Sequence, residues 1–374
     1  RPEAEMGKCE VIFARALSEV SFEPDPYNKV AQSDKRIMNN TPRTLPLLPI
    51  LILVFALSLC FFGDISPAFA QEIHVAGGFI NRNTDGDRSS SWLISYFDEI
   101  TDHFAWSFSW LNEGHLEDHH RDGPSVQLWI RKYLLDRRLS LGVGAGPYFA
   151  FDTDRERMVG NNYENRHQLG GLFSLAATWH TKTRWLFQTR LENVWLDGEM
   201  DTTSLLLGVG YRFPPPGSAE AKKADTPAYQ VPKNEITLFL GYTNVNGPTD
   251  NDFAASVEYR RDLARYLGWT VGWIQEIDTH EIDRKGVATQ LWGRQRFFDD
   301  QLGMGAGFGV YFFKDDAHDP QSGIDDDLRA AGLITLTASY QLPRQFVLRA
   351  SWSRVITDYD RDSDVFLCGL GYRF

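Results

Sequence analysis

Cysteine is scarce in this chain: its 374 residues include three, and beyond residue 70 only Cys368 is left. A single cysteine in the folded part excludes an internal disulfide, so covalent cross-links are excluded as a source of stability. Positive charge is also in deficit, with 38 Lys and Arg against 50 Asp and Glu and a formal net charge of −12. An acidic surface of this kind argues against nucleic acid as a partner.

One long apolar run, residues 45–63, lies near the start of the chain. The basic Arg43 precedes this run, and the small-residue pattern AFA follows it at 68–70, which is the arrangement of a secretory signal peptide. We therefore expect 38–70 to be a cleavable signal peptide and 1–37 to be an upstream segment outside the native product. A transmembrane anchor is the alternative, because the run is nearly long enough to span a bilayer.

The rest of the chain is an internal repeat. The stretch WLNEGHLEDHHRDGPSVQLW at 110–129 aligns without gaps with WIQEIDTHEIDRKGVATQLW at 273–292, and the same register places GVGAG at 142–146 on GAGFG at 305–309. Both copies end almost identically, in GVGYRF and GLGYRF. A duplication of this length predicts two homologous domains. The predicted boundaries are 71–213 for the first repeat, 214–234 for a linker rich in Pro, Ala and Lys, and 235–374 for the second repeat.

Each copy consists of segments in which apolar and polar residues alternate, as in VQLWIRKY at 126–133. A period of two is typical of β-strands with two different faces. Short turns such as 134–138 alternate with long polar connections such as 151–167, which is typical of a transmembrane β-barrel. The strands predicted for the first copy are roughly 72–82, 90–100, 104–114, 124–134, 139–151, 167–180, 184–196 and 202–213, and the second copy has about eight more.

The alternation in the fourth predicted strand separates a polar face from an apolar one. We expect Ser125, Gln127, Trp129, Arg131 and Tyr133 to point inward, and Val126, Leu128 and Ile130 to point outward. A polar interior with an apolar exterior inverts the pattern of soluble proteins, as a barrel in a membrane requires. A soluble β-sandwich or a lipocalin-like barrel is the alternative.

The last strand carries a resemblance to a known family. The chain ends in VFLCGLGYRF, in which Phe366, Cys368, Leu370, Tyr372 and Phe374 alternate with other residues. This resembles the closing strand of Gram-negative outer-membrane proteins, and the whole resembles a tandem duplication of an eight-stranded unit of the OmpA/OmpX or PagL kind. The resemblance implies location in the bacterial outer membrane, no cofactor, the barrel assembly machinery as a partner during biogenesis, and surroundings of outer-membrane lipids and lipopolysaccharide.

Sixteen strands allow two closures of the barrel wall. Two eight-stranded barrels would have interiors filled by side chains, whereas one sixteen-stranded barrel would enclose an aqueous pore. Each copy has its own closing-strand pattern, and the linker, placed on the periplasmic side, is far longer than a hairpin turn. Both observations favour two barrels, with one large barrel as the alternative.

The histidine-rich stretch 110–129 is predicted to be the external loop between strands three and four together with the ends of those two strands, and it allows three interpretations. A metal site would use His115, His119 and His120, but the second copy has other residues there and only His280 nearby, so no metal site is expected. A lipid A hydrolase of the PagL type would use His115 as a base oriented by Glu113.

The third interpretation is a network of polar side chains at the mouth of each lumen, where they satisfy groups that could not face lipid. Its predicted members recur in both copies: Glu113, Arg121, Gln127, Arg131, Glu276, Arg284, Gln290 and Arg294. We therefore expect an outer-membrane protein with a structural or surface-interaction role. A lipid A hydrolase is the first alternative and a porin-like pore is the second.

Overall fold

The computed structural model describes residues 71–154, 164–197, 200–213, 233–245, 251–277, 283–298, 300–315 and 328–374. The predicted upstream segment 1–37, the predicted signal peptide 38–70 and almost all of the predicted linker lie outside these ranges. Within these ranges, no helix is both long and apolar enough to cross a membrane.

The first repeat forms a closed antiparallel barrel of eight strands. In chain order they are β1 (Gln71–Arg82), β2 (Arg88–Glu99), β3 (Phe104–Leu116), β4 (His119–Leu134), β5 (Leu139–Asp154), β6 (Glu164–His180), β7 (Trp185–Trp195) and β8 (Thr202–Arg212). Each strand pairs with its neighbours in the chain, and β8 pairs with β1, with Val209 opposite Val75.

The second repeat closes in the same way. Its strands are β9 (Asn234–Val245), β10 (Asn251–Asp262), β11 (Leu267–Ile277), β12 (Asp283–Phe297), β13 (Leu302–Asp315), β14 (Arg329–Gln341), β15 (Phe346–Ile356) and β16 (Ser363–Arg373). Here β16 pairs with β9, with Leu370 opposite Leu238. The prediction of two eight-stranded barrels is confirmed, and the alternatives of one sixteen-stranded barrel and of a sandwich are wrong, because each sheet closes on its own first strand.

The side chains of β4 show how the two faces differ. Leu128 and Ile130 point outward and are 67% and 63% exposed, whereas Gln127 and Trp129 point inward and are buried. The same division holds along β16, where Leu370 is exposed and Leu367 is buried. The predicted inward and outward sets are therefore confirmed, and the exterior of both barrels is apolar while polar groups occupy the interior.

The hairpin between β3 and β4 extends further than predicted. The strands continue until Leu116 pairs with His119, so the turn between them is two residues long, and Asp118 adopts a φ of 63°. The pairing shifts at Gly114, whose φ is 70° and whose hypothetical Cβ would lie 1.9 Å from the carbonyl oxygen of Ser90. Glycine is required there, because it alone tolerates both this φ and this approach of the backbone. The histidines thus lie on strands and not in a loop.

Candidate functional site

A buried ion pair lies near the external end of the first lumen. The guanidinium of Arg121 on β4 donates to both carboxylate oxygens of Glu113 on β3, with a distance of 2.9 Å between Nη2 and Oε1. The hydroxyl of Tyr148 donates to Glu113 at 3.1 Å, and Thr202 also donates to it. Arg121 Nη1 donates to the carbonyl oxygen of Met200 at 2.7 Å. The charges of both side chains are therefore satisfied away from water.

The equivalent positions of the second barrel are connected through a hydroxyl. Ser363 donates to Glu276 at 2.7 Å and accepts from Arg284 at 3.3 Å. Thr243 also donates to Glu276 at 2.8 Å, and Arg284 forms an ion pair with Asp315 at 3.3 Å. Both barrels thus close the external end of the lumen with a buried Glu and Arg, but the two side chains contact each other directly only in the first.

The other predicted network residues lie deeper along the barrel axis. Gln127 accepts from Arg190 at 2.7 Å in the middle of the first lumen. Arg131 lies at the far end, where it contacts Glu72 and Glu99, each at 3.4 Å. Ten residues of a strand separate Arg131 from Arg121, which corresponds to about 33 Å. The predicted residues therefore do not meet at one mouth; they belong to separate layers of the lumen.

The second barrel repeats this separation. Gln290 donates to Thr335 at 2.9 Å in the middle of the lumen. Arg294 forms an ion pair with Asp262 at the far end, where Arg349 pairs with Glu235 at 3.1 Å. Polar layers at the two ends and in the middle thus recur in both copies.

Apolar side chains fill the space between the polar layers. In the first barrel the filling residues are Ala76, Leu93, Leu111, Tyr148, Ala150, Leu172, Val194, Leu196 and Leu206. In the second they include Phe239, Ala254, Ala288, Tyr311, Leu333 and Leu367. A void of about 10 Å³ beside Trp129 has room for no more than about one water molecule. The described walls therefore enclose packed cores and not channels.

The two residues of the hydrolase interpretation lie on opposite faces of β3. Glu113 is completely buried in the lumen, whereas His115 is exposed on the outer face, where its ring stacks on His120 with 4.3 Å between centroids. His119 points inward to Asp152, at 2.8 Å. In the part of the chain that the structure describes, no group of three or more His, Cys, Asp or Glu is arranged to hold a metal ion. His280 lies outside the described residues.

The repeated glycine motif has a structural role that was not predicted from the sequence. Gly144 faces the lumen directly beneath the indole of Trp129, and a Cβ there would lie 2.5 Å from Cε2 of that ring. A Cβ at Gly307 would likewise lie 2.7 Å from Cε2 of Trp292. Each indole donates inside the barrel, Trp129 to Ser107 at 2.8 Å and Trp292 to Thr270 at 2.9 Å. This packing could have been predicted from the sequence, because both copies have an inward-facing Trp on one strand and inward-facing Gly residues on the next.

The outer faces of the two barrels contact each other through aromatic side chains. Trp110 of β3 packs edge-on against Trp352 of β15, with 4.7 Å between ring centroids. Phe151, Ile334 and Ile356 complete this buried cluster. Although Trp110 points away from its own lumen, it is only 2% exposed, because the second barrel covers it. We call this contact region, with the polar residues described next, the junction.

Charged side chains at the junction are also paired. The indole of Trp110 donates to Asp122 at 3.0 Å, and the indole of Trp352 donates to Asp364 at 2.9 Å. Arg354 donates to Asp364 at 2.9 Å and interacts electrostatically with Asp122 of the first barrel. Each barrel thus contributes a hairpin in which a Trp donates to an Asp on the adjacent strand, and one Arg is shared between the two hairpins.

A His–Asp contact joins the external connection between β15 and β16 to the first barrel. His167 Nε2 lies 2.7 Å from Asp362 Oδ2, and the amide of Asn165 donates to Asp360 at 2.8 Å. Burial alone would raise the pKa of Asp362, but the hydrogen bond and charge of His167, the charge of Arg354 and the amide of Thr357 outweigh it and lower the pKa. The aspartate is therefore ionised at neutral pH and fit to hold the histidine.

The repeat does not predict the junction, because the residues that form it differ between the two copies. Trp273, which matches Trp110, is 43% exposed, and Lys285 stands where the first copy has Asp122. The position of Asp122 could have indicated the junction. A charge that faces lipid is unfavourable unless another part of a protein covers it and pairs with it.

No family model matches this chain, and no curated protein does. Among solved structures, the N-terminal β-barrel domain of Pseudomonas aeruginosa OprF is 14% identical, with 38% of this chain and 97% of that chain covered and a TM-score of 0.32. Ail of Yersinia pestis is 16% identical, with 39% and 99% covered and a TM-score of 0.32. Neisserial surface protein A is 10% identical, with 39% and 97% covered and a TM-score of 0.33. Such low TM-scores support no conclusion about this chain, whose fold is established by the strand pairing described above.

Proposed function

We propose that this chain is an integral protein of a bacterial outer membrane whose two filled barrels do not conduct, and whose role is structural or lies in interactions at the cell surface. The observation that carries this proposal is the polarity of both barrels: the exterior is apolar and the interior holds paired charges. Burial of Arg, Glu and Gln inside a barrel with exposed Leu and Val outside is unfavourable in water and favourable in a bilayer.

Aromatic residues at one end of the barrels support the same placement. Exposed aromatic rings lie at the end of the wall where the strands are joined by short turns: Trp179, Trp185, Tyr340, Phe346 and Tyr372. Aromatic girdles of this kind mark the membrane–water interface in barrel proteins. In this placement the short turns face the periplasm and the hairpins at the other end face the exterior, with lipopolysaccharide as their neighbour. Export would use the predicted signal peptide, and the closing strand β16 would be read by the barrel assembly machinery.

The filled lumens favour this role over the two alternatives. A pore needs a continuous aqueous path, whereas the layers from Arg121 to Arg131 block the first lumen. A hydrolase needs His115 and Glu113 to act together, whereas the carboxylate of Glu113 is engaged by Arg121. No described contact favours either activity over a structural one.

We expect the full-length protein, folded into a planar lipid bilayer, to insert without producing stepwise conductance. The physical reason is that buried side chains fill both lumens, so ions meet no hydrated path. A general porin measured in the same bilayer is the positive control, and a mobility shift on heating before electrophoresis reports that the protein is folded. Discrete conductance steps of porin size would contradict the proposal, as would failure of the folded protein to enter lipid vesicles.

A further inference from the structure

The two barrels touch at both ends of the wall and leave a cleft between them. At the external end the contact is the junction. At the periplasmic end, Gln295 of β12 donates to Gln71 of β1 at 2.6 Å, and Phe213 stacks on Phe297 with 3.7 Å between centroids. The cleft between these contacts has a volume of about 770 Å³, within the range of about 300–1,000 Å³ that is typical of ligand pockets.

Both walls of the cleft are outer faces of strands and are mainly apolar. The first barrel contributes Ile94, Trp106 and Phe108. The second contributes a row of small side chains at one height, in which Ala338 is paired with Ala350 and Ala350 with Cys368. Because these side chains are small, they leave the space between the two walls unfilled, while Phe108 and Phe308 face each other across the cleft with 6.3 Å between ring centroids. In a membrane, water in this cleft would be unfavourable, because the apolar walls offer it few hydrogen bonds. An empty cleft would also be unfavourable, because the side chains of its walls would lose van der Waals contacts.

The periplasmic end of the cleft carries a charge. Asp98, near the end of β2, faces outward into the cleft. Its carboxylate accepts from the hydroxyl of Tyr96 at 3.1 Å and from the amide of Gln71 at 3.5 Å. Both donors are neutral, so neither offsets the charge of the carboxylate. A cation at the level of the lipid headgroups would complete this environment.

We infer that the cleft binds one phospholipid of the periplasmic leaflet, with its acyl chains between the barrels and an ammonium headgroup, such as that of phosphatidylethanolamine, at Asp98. The inference rests on the proposed membrane location. The acyl chains supply the contacts that the small residues leave open, and the ammonium group pairs with the carboxylate. The lipid would then act as a third component of the contact between the barrels.

The test uses the full-length protein folded into vesicles of equal parts phosphatidylethanolamine and phosphatidylglycerol, extracted gently and analysed by native mass spectrometry. The wild type should retain about one phospholipid, enriched in phosphatidylethanolamine. Ala350→Trp fills the cleft and should retain about tenfold less lipid. Ala145→Trp is the matched control, because Ala145 is an exposed outward alanine of β5 that does not line the cleft.

A second pair of variants tests the headgroup separately. Asp98→Asn should retain a phospholipid but lose the preference for phosphatidylethanolamine. Asp136→Asn, in the periplasmic turn between β4 and β5, should keep the preference of the wild type. Equal lipid retention by the wild type, Ala350→Trp and Ala145→Trp would overturn the inference while leaving the membrane location intact. Failure of the wild type to enter vesicles, seen as complete digestion by added protease, would instead contradict the proposed function.

Discussion

Replacement of Arg121 by Met should destabilise the first barrel by about 3–5 kcal/mol, the usual cost of leaving one member of a buried ion pair without its partner. Arg121 donates to Glu113 through two nitrogens, and both side chains are almost completely inaccessible to solvent. Without the guanidinium, the carboxylate of Glu113 would remain in the lumen with only the hydroxyls of Tyr148 and Thr202 as partners. Urea unfolding of the protein in lipid vesicles, followed by tryptophan fluorescence, measures the change.

Two comparisons make this result specific to the buried pair. The double variant Glu113→Leu with Arg121→Met should recover much of the lost stability, because apolar replacement of a whole buried pair is often neutral. Arg137→Met removes an exposed pair with Asp102, at 3.3 Å, and should change the stability by less than about 1 kcal/mol. If Arg121→Met were no more destabilising than Arg137→Met, the buried pair would not stabilise the barrel as described.

Substitution of Gly144 by Ala should destabilise the first barrel by about 1–3 kcal/mol, although it adds only one methyl group to the core. The added Cβ would lie 2.5 Å from Trp129, and that indole is held by its bond to Ser107 and by Arg190, which lies 4.8 Å from the ring centroid. The ring therefore has little freedom to move away. Gly307→Ala should have a comparable effect on the second barrel, since its Cβ would lie 2.7 Å from Trp292.

The control for crowding is Gly77→Ala on β1, where the nearest atom to an added Cβ is 3.8 Å away. This change should be tolerated, because the contact is an ordinary one. Combining Gly144→Ala with Trp129→Phe should cost less than the sum of the two single changes, since the smaller ring makes room for the methyl group. Additive effects in that double variant would show that Gly144 is not needed to accommodate the indole.

The strands and the two closures could be predicted because each depends on a local pattern. The period of two assigns residues such as Leu128 and Gln127 to opposite faces, and the near-identical ends of the two copies indicate separate closing strands. The ends of the strands are harder to predict in a long hairpin. In the hairpin of β3 and β4, strand pairing continues to Leu116 and His119, although the polar residues there have the composition of a loop.

The polar interior was predictable as a set of residues but not as an arrangement. Arg121 and Arg131 lie on the same strand and face, yet the sequence alone does not show which side chains of other strands reach them. The junction is harder to predict than the interior. Trp110 and Trp352, which contact each other there, are not equivalent positions of the repeat, and no periodic pattern connects them. Residues unique to one copy, including Asp122, matter most there.

The closure of each barrel on its own first strand is tested most directly by disulfide cross-linking in a variant without the native cysteines. Val75 of β1 and Val209 of β8 face outward on directly opposed positions, and cysteines placed at both should form a disulfide across the seam. Cysteines at Leu238 and Leu370 should do the same in the second barrel. A disulfide between cysteines at positions 75 and 370, without one between 75 and 209, would contradict the account, because only a single sixteen-stranded wall brings β1 and β16 together.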